Sequence, residues 1–237
     1  MTQINFTRPA TTVVLAMSAD GKISDVTRSP LPLGSKIDKS HLEQQVFLAD
    51  GVLFGAGTLR AGGTAMRIIA PQLIQQRKQL GKPPQPVQIL CSRSGEINPQ
   101  LPFFQQPVPR WLLTTRHGSC KWEQRPEFEK ILVFENPPSK SKSDNPSVDF
   151  TAALQHLATL GLKRVAVLGG GELIASLLAA NLIDEFWLTV CPLILGGDKA
   201  PTPVDGAGFL IQQAPRLELV EVKQVEHELF LHYRLQR

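Results

Sequence analysis

The sequence predicts an α/β protein in which helices cover both faces of a mostly parallel sheet. Short apolar runs alternate with segments whose apolar residues recur at helical spacing, which is typical of parallel strands joined by helices. The last two strand-like segments, Leu217–Gln224 and Glu228–Leu235, instead alternate apolar and polar residues, which indicates an antiparallel pair with one solvated face. We expect residues 1–237 to form a single domain.

Each predicted strand is a short apolar run bounded by polar residues, glycine or proline. The predicted parallel strands are Thr11–Met17, Gly51–Phe54, Val87–Cys91, Trp111–Thr114, Ile131–Phe134, Val165–Leu168 and Asp184–Cys191. Capping and breaking residues delimit the helices between them. The predicted helices are Lys39–Leu48 with Asp38 as its N-cap, Pro71–Leu80 ended by Gly81, the segment from Asp149 to Leu160 stopped by Gly161, and the segment that follows Gly171.

A polar stretch rich in proline and serine, Asn136–Pro146, interrupts this pattern. It has the composition of a linker between domains. Because the alternation of helices and strands resumes directly after it, we interpret it as a long surface loop within one domain.

The composition predicts a cytoplasmic protein without a metal site. The chain is 42% hydrophobic and 19% charged, with a net charge of +4 that is scattered rather than clustered as in nucleic-acid-binding proteins. Its apolar runs are shorter than the roughly 20 residues that span a bilayer, and its N-terminus has no signal-peptide pattern. Cys91, Cys120 and Cys191 lie far apart, which predicts reduced thiols, and the histidines lack zinc-ligand spacing.

Three consecutive glycines, Gly169–Gly171, separate the predicted strand Val165–Leu168 from the helix that follows. Without side chains there, a ligand can approach the first helical amides closely, and the helix dipole favours an anion such as a phosphate. The glycines by themselves fit a simple tight turn equally well.

Three further loops follow predicted strands, at the edge where open parallel sheets bind their ligands. Ala16–Lys22 carries a hydroxyl, a carboxylate and an amine, although it also fits an ordinary polar turn. Gly55–Arg60 offers backbone amides and the hydroxyl of Thr58. Cys91–Gly95 places two hydroxyls beside Arg93, a side chain suited to bidentate phosphate binding, although an exposed loop arginine without a ligand is equally common.

Together and in this order, these motifs resemble the RibD C-terminal domain, the reductase domain of riboflavin biosynthesis, with a dihydrofolate reductase-like fold. The resemblance covers nearly the whole chain: S-x-D-G-K at Ser18–Lys22, a segment similar to D-x-V-L-x-G-A-G-T at Asp50–Thr58, the glycine block, L-I-D-E-F at 182–186 and P-L-I-L-G-G at 192–197. It implies a three-layer α/β sandwich with a mostly parallel sheet and an antiparallel C-terminal strand pair. The zinc motifs of the deaminase domain often fused to it are absent from the sequence, so we expect a stand-alone reductase unit.

The resemblance implies an NADPH-dependent oxidoreductase. Its substrate would be the phosphorylated aminopyrimidine 5-amino-6-(5-phosphoribosylamino)uracil, or the 2,5-diamino analogue. The ribosyl group would be reduced to ribityl, with hydride added to C1′ of the open-chain imine. The cofactor supplies the hydride, and the protein supplies position and electrostatics.

The resemblance also implies roles for individual residues. The residues expected to bind NADPH are Ala16, Gly55, Gly57, Thr58, Ser92, Arg93, Gly169, Gly170, Gly171, Glu172 and Leu173. In this set Ala16 meets the nicotinamide carboxamide, Ser92 and Arg93 lie near the 2′-phosphate, and residues 169–173 hold the pyrophosphate. The expected substrate-binding residues are Ser18, Lys22, Lys39 and Leu168. Asp20 and Lys22 are the expected catalytic residues, with Lys22 facing the pyrimidine carbonyl and Asp20 orienting groups or relaying a proton.

Three positions depart from the family pattern. Gly62 and Leu168 stand where acidic residues are expected, and Lys39 stands in place of an arginine. A polar substrate group opposite Leu168 would be left unpaired. Because the departures fall at expected substrate contacts, the cofactor half of the site matches the family pattern better than the substrate half. Asp38 and His41 could line the pocket mouth, but the sequence favours Asp38 as a helix N-cap and His41 as a partly exposed residue of the first turn.

Two other functions fit the same motifs: a reductase of another pterin-like, dihydrofolate-like substrate, and a non-catalytic NADPH-binding protein. We also expect a homodimer, because the enzymes that the chain resembles are dimers and the strands of 217–235 offer an edge for pairing. The alternative is that these strands only complete the sheet.

Overall fold

The computed structural model describes residues 7–29, 31–137 and 146–237. The strands in these residues are β1 (Ala10–Ser18), β2 (Gly51–Gly55), β3 (Val87–Cys91), β4 (Arg110–Thr114), β5 (Lys130–Val133), β6 (Arg164–Val167), β7 (Glu185–Cys191), β8 (Leu217–Val225) and β9 (Glu228–Leu235). The helices are α1 (Lys36–Leu48), α2 (Ala56–Gly62), α3 (Pro71–Gln79), α4 (Arg116–Ser119), α5 (Phe150–Thr159) and α6 (Gly171–Ala179), with a 3₁₀ turn at Pro102–Gln105.

All of these strands belong to one sheet, in the order β5-β4-β3-β2-β6-β1-β7-β9-β8. Strands β1 to β7 pair in parallel with one another, and β9 runs antiparallel to both β7 and β8. The α/β class and the mostly parallel sheet with an antiparallel C-terminal pair are therefore confirmed.

Two apolar clusters, one on each face of the sheet, give the fold three layers. On one face the sheet packs against α5 and α6 through side chains such as Leu154, Leu157 and Ile174. On the other face it packs against α1, α2 and α3, and an aromatic group that includes Phe103 and Trp122 extends this cluster. Helices on both faces leave the carboxyl ends of the parallel strands open as an edge.

The start of α1 differs from the prediction. Ser35, not Asp38, is the N-cap, because its hydroxyl accepts hydrogen bonds from the backbone amides of Ile37 (3.0 Å) and Asp38 (3.4 Å). The helix therefore begins at Lys36, and Asp38 lies in its first turn.

The segment after β2, expected to be a loop, forms the short helix α2. Its buried residue Leu59 packs into the second apolar cluster, and Gly63 ends the helix in the left-handed region with φ of 68°. Tertiary packing thus overrides the low helix propensity of the glycines.

The outermost strand, β8, has no buried face, contrary to the prediction of one solvated side. Leu217, Leu219 and Val222 are 41%, 51% and 53% exposed. The strand lies at the end of the sheet, and no helix in the described residues covers it.

Most of the predicted loop Asn136–Pro146 lies outside the described residues. Within residues 7–29, 31–137 and 146–237, no helix combines the length and apolar character needed to cross a bilayer.

A buried arginine holds α1 and α3 together. Arg77 is 1% exposed. Its Nη1 donates hydrogen bonds to the carbonyl oxygens of Phe47 (2.6 Å) and Ala49 (2.7 Å), and its Nε donates to that of Pro83 (2.8 Å). The carbonyls at the end of α1 would otherwise be unpaired, so this guanidinium completes the C-terminus of α1.

Replacing Arg77 with Met should lower the free energy of unfolding by on the order of 3 kcal/mol, because three carbonyl oxygens lose a charged donor. Denaturation in urea measures the change. The control is Lys78→Met, at an exposed position on the same helix, which should stay within about 0.5 kcal/mol of the wild type. Equal stability of the two variants would contradict this role.

Candidate functional site

A cleft of about 910 Å³ lies at the carboxyl ends of β1, β2 and β6, the centre of the sheet. Its walls come from the start of α1 on one face of the sheet and the start of α6 on the other. The predicted site residues that line it are Ala16, Gly55, Gly57, Thr58, Arg93, Leu168, Gly169, Gly170, Gly171, Glu172 and Leu173. The structure thus brings together residues from all four of the loops that the sequence singled out, although Ala16 is the one member of Ala16–Lys22 among them.

The loops after β2 and β6 meet through their backbones. The amide of Gly55 donates a hydrogen bond to the carbonyl oxygen of Gly169 (2.9 Å). Gly169 has a φ of 98°, which favours glycine. The hydroxyl of Thr58 lies only 3.6 and 3.4 Å from where β-carbons on Gly169 and Gly170 would stand. The floor of the cleft is therefore two glycine-containing loops in contact.

The third glycine of the block faces a different neighbour. A β-carbon on Gly171 would lie 2.4 Å from Asp205 Oδ2 and 2.5 Å from the carbonyl oxygen of Thr202. The other oxygen of Asp205 accepts hydrogen bonds from the backbone amide (3.0 Å) and hydroxyl (2.7 Å) of Thr202. A carboxylate is therefore held against the N-terminus of α6, where the sequence predicted an anion, and Gly171 is glycine because this loop packs on it.

Three arginines line the cleft: Arg28, Arg60 and Arg93. Arg93 is exposed, and the Thr115 hydroxyl donates a hydrogen bond to its carbonyl oxygen (2.8 Å), which fixes its backbone beside β4. The sequence had assigned no role to Arg28, which lies outside the motifs, or to Arg60, which ends the loop Gly55–Arg60. Positive charge among the residues that line the cleft favours an anionic ligand.

Five of the predicted site residues are not among those that line the cleft: Ser18, Asp20, Lys22, Lys39 and Ser92. Ser92 is 5% exposed, and its backbone amide and carbonyl are both bonded to β4. Lys39 is exposed on α1.

The S-x-D-G-K motif forms a hydrogen-bonded turn. Ser18 is fully buried, and its hydroxyl donates to Asp20 Oδ1 (2.6 Å) and accepts from the amide of Lys22 (2.9 Å). The Asp20 carboxylate also accepts from the amides of Leu195 (3.1 Å) and Gly196 (2.7 Å). The motif therefore ties the end of β1 to the chain after β7.

These contacts determine the protonation of Asp20. The Ser18 hydroxyl, followed by the amides of Leu195 and Gly196, lowers its pKa to about 2. Asp20 is therefore ionised near neutral pH. The motif is thus a hydrogen-bonded turn, and the catalytic roles expected of Asp20 and Lys22 stay predictions.

Asp38 is a cleft residue that the sequence favoured only as a helix cap. Burial raises the pKa of its carboxyl, the nearby carboxylate of Glu228 raises it further, and a side-chain hydrogen bond with Thr189 opposes the rise. The pattern S-x-x-D at Ser35–Asp38 is a known signature of a helix start and could have identified Ser35 as the cap.

His41, one turn further along α1, does not reach the cleft. Its ring packs edge-on against Trp187 (4.7 Å between ring centroids) and Phe230 (5.2 Å), and burial lowers its pKa. The described part of the chain has no group of three His, Cys, Asp or Glu side chains placed to hold a metal ion.

Comparison with known proteins assigns the chain to a family. The family model for the RibD C-terminal domain matches residues 9–231. A 2,5-diamino-6-ribosylamino-4(3H)-pyrimidinone 5′-phosphate reductase of Archaeoglobus fulgidus is 28% identical over 214 residues, 90% of this chain and 93% of that protein. The riboflavin biosynthesis protein RibD of Bacillus amyloliquefaciens is 23% identical over 94% of this chain, which spans 56% of that protein.

A solved structure with a similar fold is the pyrimidine reductase-like protein of Corynebacterium diphtheriae. It superposes with a TM-score of 0.77 at 22% identity, covering 97% of this chain and 92% of that one. The fold, the order of the motifs and the extent of the family match agree, and the chain belongs to the RibD C-terminal domain family.

Proposed function

We propose that this protein is an NADPH-dependent reductase of riboflavin biosynthesis. It would reduce the ribosyl group of 5-amino-6-(5-phosphoribosylamino)uracil, or its 2,5-diamino analogue, to ribityl. The observation that carries the proposal is the cleft at the centre of the sheet, where the glycine loops after β2 and β6 meet. A relative named for this reaction on the diamino compound aligns with 90% of the chain.

The residues of the cleft fit a dinucleotide. A volume of about 910 Å³ is within the usual range for cofactor sites. Gly169 and Gly170 present bare backbone opposite the Thr58 hydroxyl, which suits the close approach of a pyrophosphate. Because Asp205 lies on the Gly171 side, the pyrophosphate would sit on the Thr58 side, away from that carboxylate.

A bound reduced nicotinamide would supply two electrons and a hydrogen to the sugar carbon. In this proposal the chain holds the cofactor with Ala16, Gly55, Gly57, Thr58 and the block from Gly169 to Leu173. Arg93 pairs with the 2′-phosphate. Arg28 and Arg60 supply positive charge for the phosphate of the substrate. Leu168 offers an apolar surface to the rest of the substrate.

The first test is turnover. We expect NADPH to raise the melting temperature and to be oxidised when the phosphoribosylaminopyrimidine is added, with a product heavier by two hydrogens in mass spectrometry. Oxidation with dihydrofolate alone would support the pterin alternative. Stabilisation by NADPH without turnover of either compound would support non-catalytic binding, and no stabilisation by NADPH or NADH would reject the cofactor.

A second test separates NADPH from NADH. Arg93→Ala should weaken NADPH binding by about 10- to 100-fold, since charge-assisted hydrogen bonds to the 2′-phosphate are lost, and should leave NADH binding unchanged. Titration calorimetry measures both. The control is Arg116→Ala, an exposed arginine that does not line the cleft. Equal weakening of both cofactors in Arg93→Ala would contradict the assignment.

We further propose that two copies of the chain pair through β8. Leu219 and Val222 of β8 lie opposite Tyr233 and Leu231 of β9, so they belong to one face of the sheet. Tyr233 on that face packs against the first apolar cluster, whereas Leu219 and Val222 are exposed at its margin. An apolar edge of this kind is characteristic of an interface between subunits.

Light scattering after size exclusion should therefore give twice the chain mass of 26.1 kDa. The double variant Leu219→Glu, Val222→Glu should be monomeric, because it places charge in an apolar interface. Glu218→Ala, on the other face of the same strand, is the control and should stay dimeric. A monomeric wild type would reject the pairing.

A further inference from the structure

The carboxylates that line the described cleft lie on two opposite walls. Glu172 and Asp205 are at the start of α6, where Asp205 packs against Gly171. Asp38 is on the α1 wall. Gly62 and Leu168, which also line the cleft, carry no ionisable group. Of the described residues that line the α1 side, Asp38 is therefore the carboxyl that can exchange a proton with a ligand.

Asp38 is held in place by the Gly34–Ser35 segment just before α1 and by Glu228 of β9. Glu228, 5% exposed, accepts hydrogen bonds from the amide and the hydroxyl of Ser35, both at 2.7 Å, and so anchors the cap of α1. A β-carbon on Gly34 would lie 2.2 Å from Asp38 Oδ2, so glycine at that position leaves room for the carboxyl. Glu228 and Gly34 thus act as positioning residues.

The groups facing Asp38 favour its neutral form. From β7 it faces Thr189 and the Cys191 thiol, and from β9 the carboxylate of Glu228. The Thr189 hydrogen bond supports the ionised form, but burial and the charge of Glu228 outweigh it and raise the pKa of Asp38. Among the described residues, none of the groups that shift this pKa is a cation, so no ion pair within them offsets the burial of the carboxylate.

We propose that Asp38 is the acid that opens the sugar ring of the substrate, an inference that rests on the proposed function. The Asp38 carboxyl gives its proton to the ring oxygen as the bond from that oxygen to C1′ breaks. The bonding pair stays on the oxygen, which becomes a hydroxyl, and the lone pair of the attached nitrogen forms a C1′=N bond. A bound reduced nicotinamide would supply two electrons and one hydrogen to C1′, which would leave a neutral amine, and Asp38 would regain a proton from water.

The test uses the purified full chain with NADPH and the phosphoribosylaminopyrimidine. Asp38→Asn should lower kcat by about 100-fold or more with a small change in KM, which is the usual size of a general-acid contribution. Glu129→Gln, an exposed carboxylate outside the cleft, is the matched control and should keep the wild-type rate.

The pH dependence separates acid catalysis from a structural role. Because the reaction needs protonated Asp38, the wild-type kcat should fall as pH rises through the raised pKa of this group. Asp38→Asn should lose that limb of the profile. Asp38→Glu keeps a carboxyl and should keep the limb with its midpoint moved, so the test holds even if the amide variant does not fold.

Thermal melting gives a readout that does not depend on turnover. A raised pKa in the folded state means that ionised Asp38 opposes folding above the ordinary carboxyl pKa of 3.8. Asp38→Asn should therefore melt at or above the wild-type temperature at neutral pH, with the difference vanishing below that pKa, and should retain its stabilisation by NADPH.

The outcomes are distinct. A wild type that does not oxidise NADPH with this substrate rejects the proposed function and this inference with it. An active wild type with an Asp38→Asn variant of similar kcat and unchanged pH profile rejects only the role of Asp38. A lower melting temperature together with lost NADPH stabilisation would instead make Asp38 a structural residue and also overturn the inference.

Discussion

The site depends on one backbone hydrogen bond, from the amide of Gly55 to the carbonyl oxygen of Gly169 (2.9 Å). It extends the parallel pairing of β2 and β6 beyond the last paired residues of the strands, Leu53 and Val167. Two loops separated by more than a hundred residues of sequence are thereby held in contact. The φ of 98° at Gly169, which glycine adopts at little cost, turns the chain so that this carbonyl faces Gly55.

The strand order around this contact places charged side chains on different sides of the cleft. β6 lies between β2 and β1, so the loop that follows it is central, and the helices α1 and α6 approach it from opposite faces. Arg60 and Arg93 come from the β2 and β3 side of that centre, whereas Asp205 is packed on Gly171. An anionic ligand is therefore attracted to one side of the glycine block and repelled from the other. The glycines combine the two roles that the sequence left open: Gly171 serves packing, while Gly169 and Gly170 leave backbone exposed to the cleft.

The sequence could predict what depends on neighbouring residues. Parallel strands appear as apolar runs because both faces are buried, and the Asp149 side chain does cap α5 as predicted. The sequence could not predict contacts between residues that are far apart along the chain. The role of Asp20 depends on the amides of Leu195 and Gly196, and the choice of Ser35 over Asp38 as cap is reinforced by Glu228, far along the chain. Helix α2 was missed for the same reason, since the burial of Leu59 stabilises it.

The difference between neighbouring residues and distant contacts also applies to the acidic residues that the family pattern leads one to expect at 62 and 168. A sequence motif specifies which residue type stands at a given position of the chain. A reaction instead requires a chemical group at a given place in the site, whichever position of the chain supplies it. The cleft is formed by the ends of several strands and the starts of the helices around them, so one place can be reached from more than one element. Asp38 reaches the cleft from α1, in a chain where Gly62 and Leu168 line the same cleft without charge. The loss of an acid from two motifs is therefore compatible with an acid at the site, provided that the fold buries and orients the replacement, as Ser35, Gly34 and Glu228 do here.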